Sequence, residues 1–360
     1  MARHTAFAAG AGPVSAAAYA LGQAARVGTF FALYRLTTRR TTPVKPARPI
    51  AGATPQTGRI LADLQRLLAR DWANIRAGVY RLPHDLVTTP LAALRDTPAY
   101  LRDLAEVERR RHAGAHQEVF ERARQDPALR AAYPRYYLQN FHYQTDGWFS
   151  DNSARIYDHQ VEVLFGGGAD AMRRMALVPL GEVLARRGVR QARLLDLACG
   201  TGRFLTFVKD NYPCLDVTAL DLSPAYLDQA RDNLRPWRGV TTVQAAAEAT
   251  GLPGDSFDAI TCTYLFHELP AGVRRQVLAE VVRLLRPGGR FILVDSIQRG
   301  DVPAYDGLLE YFPVAFHEPY YADYVASDLD ALARDAGLIP ARCEIAYFSR
   351  IMAFDKPAAS

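Results

Sequence analysis

A short apolar run that ends in a tight turn constrains the fold of this chain more than any other feature. Residues 194–204 read LLDLACGTGRF, in which Asp196 interrupts the leucines and Gly200 and Gly202 follow. Two glycines so close together would weaken the interior of a helix or a strand. We therefore predict a strand that ends in a turn, where the backbone passes close to a bound molecule.

Strand-like and helix-like segments alternate along the chain after this turn. The alternation predicts right-handed crossovers and a mostly parallel, doubly wound sheet with helices on both faces. The helical patterns cover residues 203–211, 224–234, 271–285 and 328–338. The predicted strands are residues 192–198, 216–223, 240–247, 257–266, 290–296, 341–349 and 351–357.

Acidic residues near the ends of the first two strands narrow the choice of ligand. Such a sheet binds ligands beyond the carboxyl ends of its strands. Asp221 ends the second strand, where a carboxylate can accept both hydroxyls of a ribose. The dinucleotide pattern G-x-G-x-x-G is broken by Leu205, and Asp196 would repel a pyrophosphate. A carboxylate at that point suits a positively charged ligand such as S-adenosylmethionine, which carries an amino group and a sulfonium.

Four segments in this order resemble the motifs of class I S-adenosylmethionine-dependent methyltransferases. They read LLDLACGTGRF, ALDLSPAYLDQAR, AAAEATGLPGDSFDAITCTYLFHEL and RLLRPGGRFILVDS. The resemblance covers residues 153–356 and is closest to the branch with the ubiquinone and menaquinone C-methyltransferases. It implies an α/β, Rossmann-like fold with a seven-stranded doubly wound sheet, an antiparallel last hairpin, and S-adenosylmethionine as cofactor.

The resemblance also implies which residues contact the cofactor. Asp196 and the backbone of Ala198, Gly200 and Gly202 would hold the methionine part, and Asp221 would bind the ribose. Where many relatives have Asp-Ala or Asn-Ala, this chain has two alanines, so the polar contact to the adenine amino group is missing and Glu248 or backbone groups would compensate. The remaining cofactor contacts implied are Tyr157, Leu222, Ala246, Ala247, Glu248 and Thr263.

Methyl transfer from a sulfonium needs alignment more than activation. A hydroxyl or amine acceptor also needs a base. His267 in LFHEL is the best-placed candidate, although it could equally cap the next helix, and Glu268 is expected to face away from the site. His317, in a second aromatic segment, is the other catalytic candidate.

Two aromatic segments, residues 133–149 and an insert at 303–325, predict a pocket for an apolar or aromatic acceptor. They would equally serve as packing between a helical domain and its neighbour. The residues that we expect to line the pocket are Phe141, His142, Tyr264, Tyr320 and Tyr321.

Charge and cysteine content argue against several classes of partner. The net charge of +5 over 360 residues is small and gives no sign of a nucleic-acid partner. The four cysteines show no C-x-x-C spacing, so we predict no metal site and no disulfide framework. These features fit a cytoplasmic enzyme, and the oligomeric state stays open.

The chain before residue 59 differs in composition from the rest. Residues 6–36 are apolar and rich in alanine, and residues 41–58 have the prolines and glycines of a linker. A membrane-spanning helix and a secretory signal are both disfavoured, by interrupting polar residues and by the cofactor enzyme downstream. A helix that lies on a membrane, as a peripheral contact, or docks on the protein's own body fits better.

The predicted organisation has three parts. Residues 1–58 form the apolar segment and linker, residues 59–150 a helical domain, and residues 151–360 the methyltransferase core. We expect transfer of a methyl group to a small, largely apolar or aromatic acceptor such as a quinone, isoprenoid, polyketide or lipid-like molecule. The alternatives are a protein or nucleic-acid methyltransferase and a non-catalytic cofactor-binding scaffold.

Overall fold

The structure is a computed structural model that describes residues 13–54 and 56–358. Its centre is a seven-stranded sheet with the order β3-β2-β1-β4-β5-β7-β6. The pairs among β1 to β5 are parallel, and β7 runs antiparallel to both β5 and β6. The predicted doubly wound sheet with its closing hairpin is confirmed. The strands are β1 Arg193–Leu197, β2 Asp216–Asp221, β3 Val240–Gln244, β4 Phe257–Thr263, β5 Leu285–Ser296, β6 Ile339–Ala346 and β7 Ser349–Asp355.

Helices cover both faces of the sheet, and the helices that precede β1 in the chain form a further layer. They are α1 Pro13–Thr38, α2 Thr57–Arg76, α3 Thr88–Ala113, α4 Glu118–Gln125, α5 Pro127–Ala132, α6 Asp151–Leu164, α7 Ala169–Arg174, α8 Leu177–Arg187, α9 Arg203–Asn211, α10 Pro224–Leu234, α11 Ala271–Leu284, α12 Asp306–Ala315, α13 Tyr321–Ala326 and α14 Leu329–Asp335. Short 3₁₀ turns lie at Arg135–Tyr137, Phe141–Tyr143, Phe266–Glu268 and Pro303–Tyr305.

Alternate residues of the strands build two cores, because successive side chains of a strand point to opposite faces. Leu194 packs with the cluster on one face, whereas Leu195 and Leu197 pack with the cluster on the other. Leu64 and Leu67 of α2 belong to the same cluster as Leu194. The helices that precede the sheet in the chain therefore share a core with it. The domain boundaries at residues 58 and 150 stay a prediction.

Helix α1 is packed against the protein's own body. Arg26 is buried and pairs with Asp170 and, at 2.6 Å, with Glu162. The Tyr19 hydroxyl donates a hydrogen bond to Asp71 at 2.8 Å. The part of the predicted apolar segment at residues 6–12 lies outside the described residues.

No helix among the described residues is long and apolar enough to cross a membrane.

Three strands begin earlier than the sequence predicts. Strands β6 and β7 begin at Ile339 and Ser349 rather than at residues 341 and 351. Strand β5 begins at Leu285 rather than at residue 290, so it includes Pro287, Gly288 and Gly289. The pairing of β5 with β4 shifts between Phe257 and Ala259. An irregularity of this kind accommodates the proline and glycines within a paired strand.

Candidate functional site

A cavity of about 110 Å³ opens at the carboxyl ends of β1, β2 and β4. The loops after these strands form its floor, and the aromatic segment before α6 forms its roof. Its lining residues are Tyr136, Tyr137, Phe141, Trp148, Tyr157, Ala198, Gly200, Leu220, Asp221, Leu222, Ser223, Tyr226, Ala245, Ala246, Ala247, Thr263, Tyr264, Leu265, Glu268 and Leu269.

In the loop after β1, every second residue has a left-handed backbone conformation. The φ angle is +53° at Ala198, +54° at Gly200 and +71° at Gly202. A Cβ at Gly200 would meet only Tyr226, at 4.0 Å, so this glycine borders open space. A Cβ at Gly202 would lie 2.8 Å from Leu234 of α10. Gly200 therefore leaves room in the cavity, whereas Gly202 allows close packing of the start of α9 and does not line the cavity.

Asp221 lies at the end of β2 and on the cavity wall. One carboxylate oxygen accepts a hydrogen bond from the backbone N–H of Gly200 at 2.8 Å, and the other accepts one from Ser223 at 2.8 Å. Desolvation raises the pKa of this carboxyl, and the backbone N–H groups oppose that shift. The carboxylate is thus held in place before any ligand binds.

Asp196 is buried inside β1 and lies behind the cavity wall. Its carboxylate accepts a hydrogen bond from the Thr261 hydroxyl at 2.6 Å. Burial raises its pKa to about 7, against the lowering effect of Thr261, and the nearby Asp221 raises it further. A cationic ligand group would favour the ionised form.

The wall after β2 and β3 is apolar. Leu222, Ala246 and Ala247 line it as the resemblance implies. Glu248 is turned away from the cavity and accepts a hydrogen bond from the Tyr136 hydroxyl at 2.7 Å. Its other oxygen is buried without a hydrogen-bond partner among the described residues. Glu248 therefore ties the aromatic roof to this wall.

Aromatic rings form the roof through one stacked contact, Phe141 on Trp148, and a series of edge contacts. The centroid of Trp148 lies 5.9 Å from Phe141 and 5.7 Å from Tyr157. Tyr157 lies 5.6 Å from Tyr226 of α10. Phe141, Tyr157 and Tyr264 all line the cavity. Four further aromatic residues line the cavity: Tyr136, Tyr137, Trp148 and Tyr226. The first three belong to the predicted aromatic segment at residues 133–149, but the sequence did not predict which way their rings point.

Three residues that were predicted for the pocket lie outside the cavity wall. His142 lies behind it, between Glu268 and Glu318. Tyr320 is half-buried, with its hydroxyl 3.5 Å from Gln139. Tyr321 is buried, and its hydroxyl is 2.7 Å from that of Ser296. The turns around these residues, rather than their type, decide which rings reach the cavity.

The 3₁₀ turn after β4 orients His267 and Glu268 differently from the prediction. Glu268 lines the cavity, so the prediction that it faces away is wrong. His267 points backwards, with Nδ1 2.6 Å from Asp295 of β5. Adjacent residues of a 3₁₀ turn point in different directions, because each turn contains about three residues. The histidine therefore packs inside while the glutamate faces the cavity.

His317, the second catalytic candidate, also lies outside the cavity wall. Its Nε2 is 2.9 Å from the Gln139 side-chain oxygen, and its ring stacks on His116 at 4.2 Å. Burial lowers its pKa to about 4, and His116 lowers it further. The catalytic roles of His267 and His317 stay predictions.

Comparison with known proteins gives the same family as the geometry. A family model described as a methyltransferase domain matches residues 194–289. The ubiquinone/menaquinone biosynthesis C-methyltransferase UbiE of Methylobacterium nodulans is 32% identical over 181 residues, which are 49% of this chain and 69% of that protein. The malonyl-[acyl-carrier protein] O-methyltransferase of Paenibacillus sp. is 32% identical over 131 residues, 34% of this chain and 47% of that protein.

A solved structure with a similar arrangement is the geranyl diphosphate C-methyltransferase of Streptomyces coelicolor A3(2). It is 14% identical, covers 57% of this chain and 84% of its own, and has a TM-score of 0.42.

The residues at the cavity fit S-adenosylmethionine. A pre-positioned carboxylate stands at β2, the wall beside it is apolar, and the Thr263 hydroxyl oxygen is buried at the floor without a partner among the described residues. The motifs, the sheet order and the similarity to the Methylobacterium protein agree. The chain therefore belongs to the class I S-adenosylmethionine-dependent methyltransferases, whose cofactor is S-adenosylmethionine.

Proposed function

We propose that the protein transfers the methyl group of S-adenosylmethionine to a small, largely apolar or aromatic acceptor, such as a quinone, isoprenoid, polyketide or lipid-like molecule. The observation that carries this proposal is the aromatic roof over the cavity. Phe141, Trp148 and Tyr157 face the same space as Asp221 and Gly200. Aromatic surfaces of this kind bury and orient flat or apolar ligands.

The proposed reaction is a direct displacement. A nucleophilic atom of the acceptor forms a bond to the methyl carbon while the bond between that carbon and sulfur breaks. The sulfur keeps the electron pair, and S-adenosylhomocysteine leaves as a neutral thioether. Alignment of acceptor and methyl group supplies most of the rate in such a reaction, and the acceptor proton must pass to a base.

Glu268 is the carboxylate that we assign as this base. It lines the cavity at the end of β4, beside Tyr264 and Leu265. Burial and the neighbouring Glu318 raise its pKa, while His142 and His267 oppose this shift. A carboxyl with a raised pKa is a stronger base at neutral pH than an exposed one. His267, the base predicted from the sequence, lies behind Glu268, with Nε2 3.6 Å from Glu268 Oε1.

The charge of the wall supports an acceptor without phosphate groups. Among the described residues that line the cavity, none is lysine or arginine. The relative from Methylobacterium nodulans is named for ubiquinone and menaquinone biosynthesis, which supports a quinone-like compound as the first probe.

A scaffold that binds the cofactor without transferring methyl is the second candidate. Ala246 supports it, because this position lacks the polar side chain that many relatives use for adenine. Methylation of a protein or nucleic acid is a further alternative.

The test is transfer of radiolabelled methyl from S-adenosylmethionine to a panel containing a naphthoquinol, a polyhydroxylated aromatic and a long-chain fatty acid. We expect label in the organic extract. Glu268→Gln should lower kcat by about 10²- to 10⁴-fold, the contribution of a general base, with unchanged cofactor affinity. The matched control is Glu310→Gln, an exposed residue on α12.

Three outcomes would count against these assignments. Equal kcat in Glu268→Gln and Glu310→Gln would remove Glu268 as the base. Label found on protein or nucleic acid from an extract, and not on small molecules, would favour that alternative. Cofactor binding without turnover on any acceptor class would favour the scaffold.

Contact of α1 with a membrane surface, in a cytoplasmic setting, is a separate part of the proposal. On the outer face of this docked helix, Leu21 is 72% exposed and Val14 83% exposed. Such an apolar face can lie in the headgroup region of a bilayer. Co-sedimentation with lipid vesicles should fall in Leu21→Ser if this contact exists, and sedimentation equal to wild type would exclude it.

A further inference from the structure

Three Phe-His pairs from separate parts of the chain lead into one cluster beside the cavity. The pairs end in His142, His267 and His317, and the last two are followed directly by Glu268 and Glu318. The backbone N–H of His142 bonds to the carbonyl of His317 at 3.2 Å. Residues that are distant in the chain are therefore held together by backbone contacts as well as by side chains.

The imidazole of His142 lies between the two glutamates. Its Nδ1 is 2.7 Å from Glu318 Oε1, and its Nε2 is 3.4 Å from Glu268 Oε1. The Glu318 side chain is 0% exposed. Apart from His142, neither Glu318 oxygen has a hydrogen-bond partner among the described residues, and Glu268 Oε2 also lacks one. Buried carboxylates normally have their acceptor positions filled, so this cluster has ligand capacity that the protein does not use.

Two buried carboxylates elsewhere in this protein are paired with arginine, whereas those of the cluster are not. Asp71 pairs with Arg174 at 2.5 Å, and Glu162 pairs with Arg26 at 2.6 Å. Among the described residues, no arginine or lysine forms an ion pair with Glu268 or Glu318; only histidines do. Histidine is the one cationic partner that can also give up its proton and bind a metal ion.

We propose that His142, Glu268 and Glu318 form a binding site for one divalent transition-metal ion. One ligand atom from each residue lies within 4.8 Å of the others, close to the spacing needed around an ion bonded at about 2.0–2.2 Å. One imidazole nitrogen and two carboxylate oxygens suit Mn²⁺, Fe²⁺ or Zn²⁺ better than Mg²⁺, which prefers oxygen ligands alone. The prediction of no metal site rests on cysteine spacing, which gives no information about a site made of one histidine and two glutamates.

The position of the site points to the class of acceptor, an inference that rests on the proposed function. Glu268 belongs both to the cluster and to the cavity wall. Glu268 therefore places an ion bound by the cluster next to the acceptor side of the cavity. A metal at this wall would hold a hydroxyl or carbonyl oxygen, so the acceptor would be an oxygenated aromatic or quinone-like compound rather than a hydrocarbon.

The experiment is calorimetric titration of the untagged full chain, stripped with a chelator, with MnCl₂ and separately with ZnCl₂. We expect saturable binding of one ion per chain. Glu318→Gln should weaken it by roughly 100-fold or more, since even the loss of an outer-shell partner costs about 10- to 100-fold. Glu310→Gln should bind like wild type. If wild type binds neither ion, or if Glu318→Gln binds like wild type, the site does not exist.

His142→Asn removes the imidazole nitrogen from the ligand set and provides the test if Glu318→Gln does not fold. It should bind Mn²⁺ and Zn²⁺ roughly 100-fold or more weakly than wild type, whereas metal held only by surface carboxylates would bind equally to both proteins. Equal affinity in His142→Asn and wild type would overturn the ligand set.

S-adenosylmethionine binding is measured on the same samples. If Glu318→Gln loses metal binding but still binds S-adenosylmethionine, the cofactor site does not depend on the metal site. If wild type binds the metal but transfers no methyl group to any acceptor, the proposed function fails and the metal site does not.

Discussion

The carboxylate of Asp221 accepts a hydrogen bond from the backbone N–H of Gly200 at 2.8 Å, which joins the end of β2 to the loop after β1. This contact fixes the acidic side chain without a cofactor and holds the loop in its left-handed conformation at Gly200. The cofactor side of the cavity is therefore organised in advance, and binding there does not have to order the loop.

Affinity for the cofactor should rise with pH because of Asp196. Burial raises the pKa of this carboxyl to about 7 in the free protein, so below that pH the group is mostly protonated and neutral. Pairing with the amino group of the ligand needs the ionised form. Affinity should therefore increase by up to about tenfold per unit between about pH 5.5 and pH 7, and level off above. Calorimetry with S-adenosylhomocysteine, which keeps the amino group, measures this.

Asp196→Asn is the control for that titration. The amide occupies the same space and does not ionise, so binding should be weak and nearly independent of pH. A variant with the same pH dependence as wild type would show that another group causes the effect.

Removal of the Tyr136 hydroxyl should loosen the roof over the adenine side. Tyr136→Phe deletes the hydrogen bond to Glu248 and leaves that half-buried carboxylate with fewer partners. A hydrogen bond to a charged group is worth about 1.5–3 kcal/mol, so we expect cofactor affinity to fall by roughly tenfold with little change in the sheet. Fluorescence titration with the cofactor measures the affinity. Tyr133→Phe, a partly buried neighbour in the same segment, should bind normally; if both variants behave alike, the Glu248 contact does not matter.

Loss of the Arg26 guanidinium should destabilise the whole protein, because α1 is docked through it. Arg26→Met leaves Glu162 buried without its ion-pair partner. Breaking a buried pair costs about 3–5 kcal/mol, and urea denaturation gives the free energy of unfolding.

The matched control for Arg26 is Arg35→Met, an exposed arginine in the last turn of the same helix. Surface substitutions of this kind stay within about 0.5 kcal/mol. Equal midpoints for the two variants would mean that α1 is not docked in solution.

The sheet could be predicted from the sequence because its signals are local. Strand β1 is apolar on both faces, as expected of a buried strand, through Leu194, Leu195 and Leu197. The Ser223-Pro224 pair marks the start of α10. The Ser223 hydroxyl accepts a capping hydrogen bond from the backbone N–H of Tyr226 at 3.3 Å. Parallel strands then bring Asp221 beside Gly200 without any further information.

The acceptor side could not be predicted in the same way. Whether His267 or Glu268 faces the cavity depends on the 3₁₀ turn between them and β4, which has no periodic signature. The pairing of His142 with Glu318 joins two segments far apart in the chain. Ala198 and Tyr264 adopt left-handed conformations, with φ of +53° and +58°. Residues other than glycine rarely adopt such a conformation, so these residue types do not predict it.

Titration of the protein with S-adenosylmethionine by calorimetry tests the central claim most directly, with Asp221→Ala beside wild type. The control is Asp216→Ala, at the exposed opposite end of the same strand. We predict one saturable site in wild type and in Asp216→Ala, and loss of binding in Asp221→Ala. Binding that survives in Asp221→Ala, or no binding by wild type, would contradict the assignment of this cavity as the cofactor site.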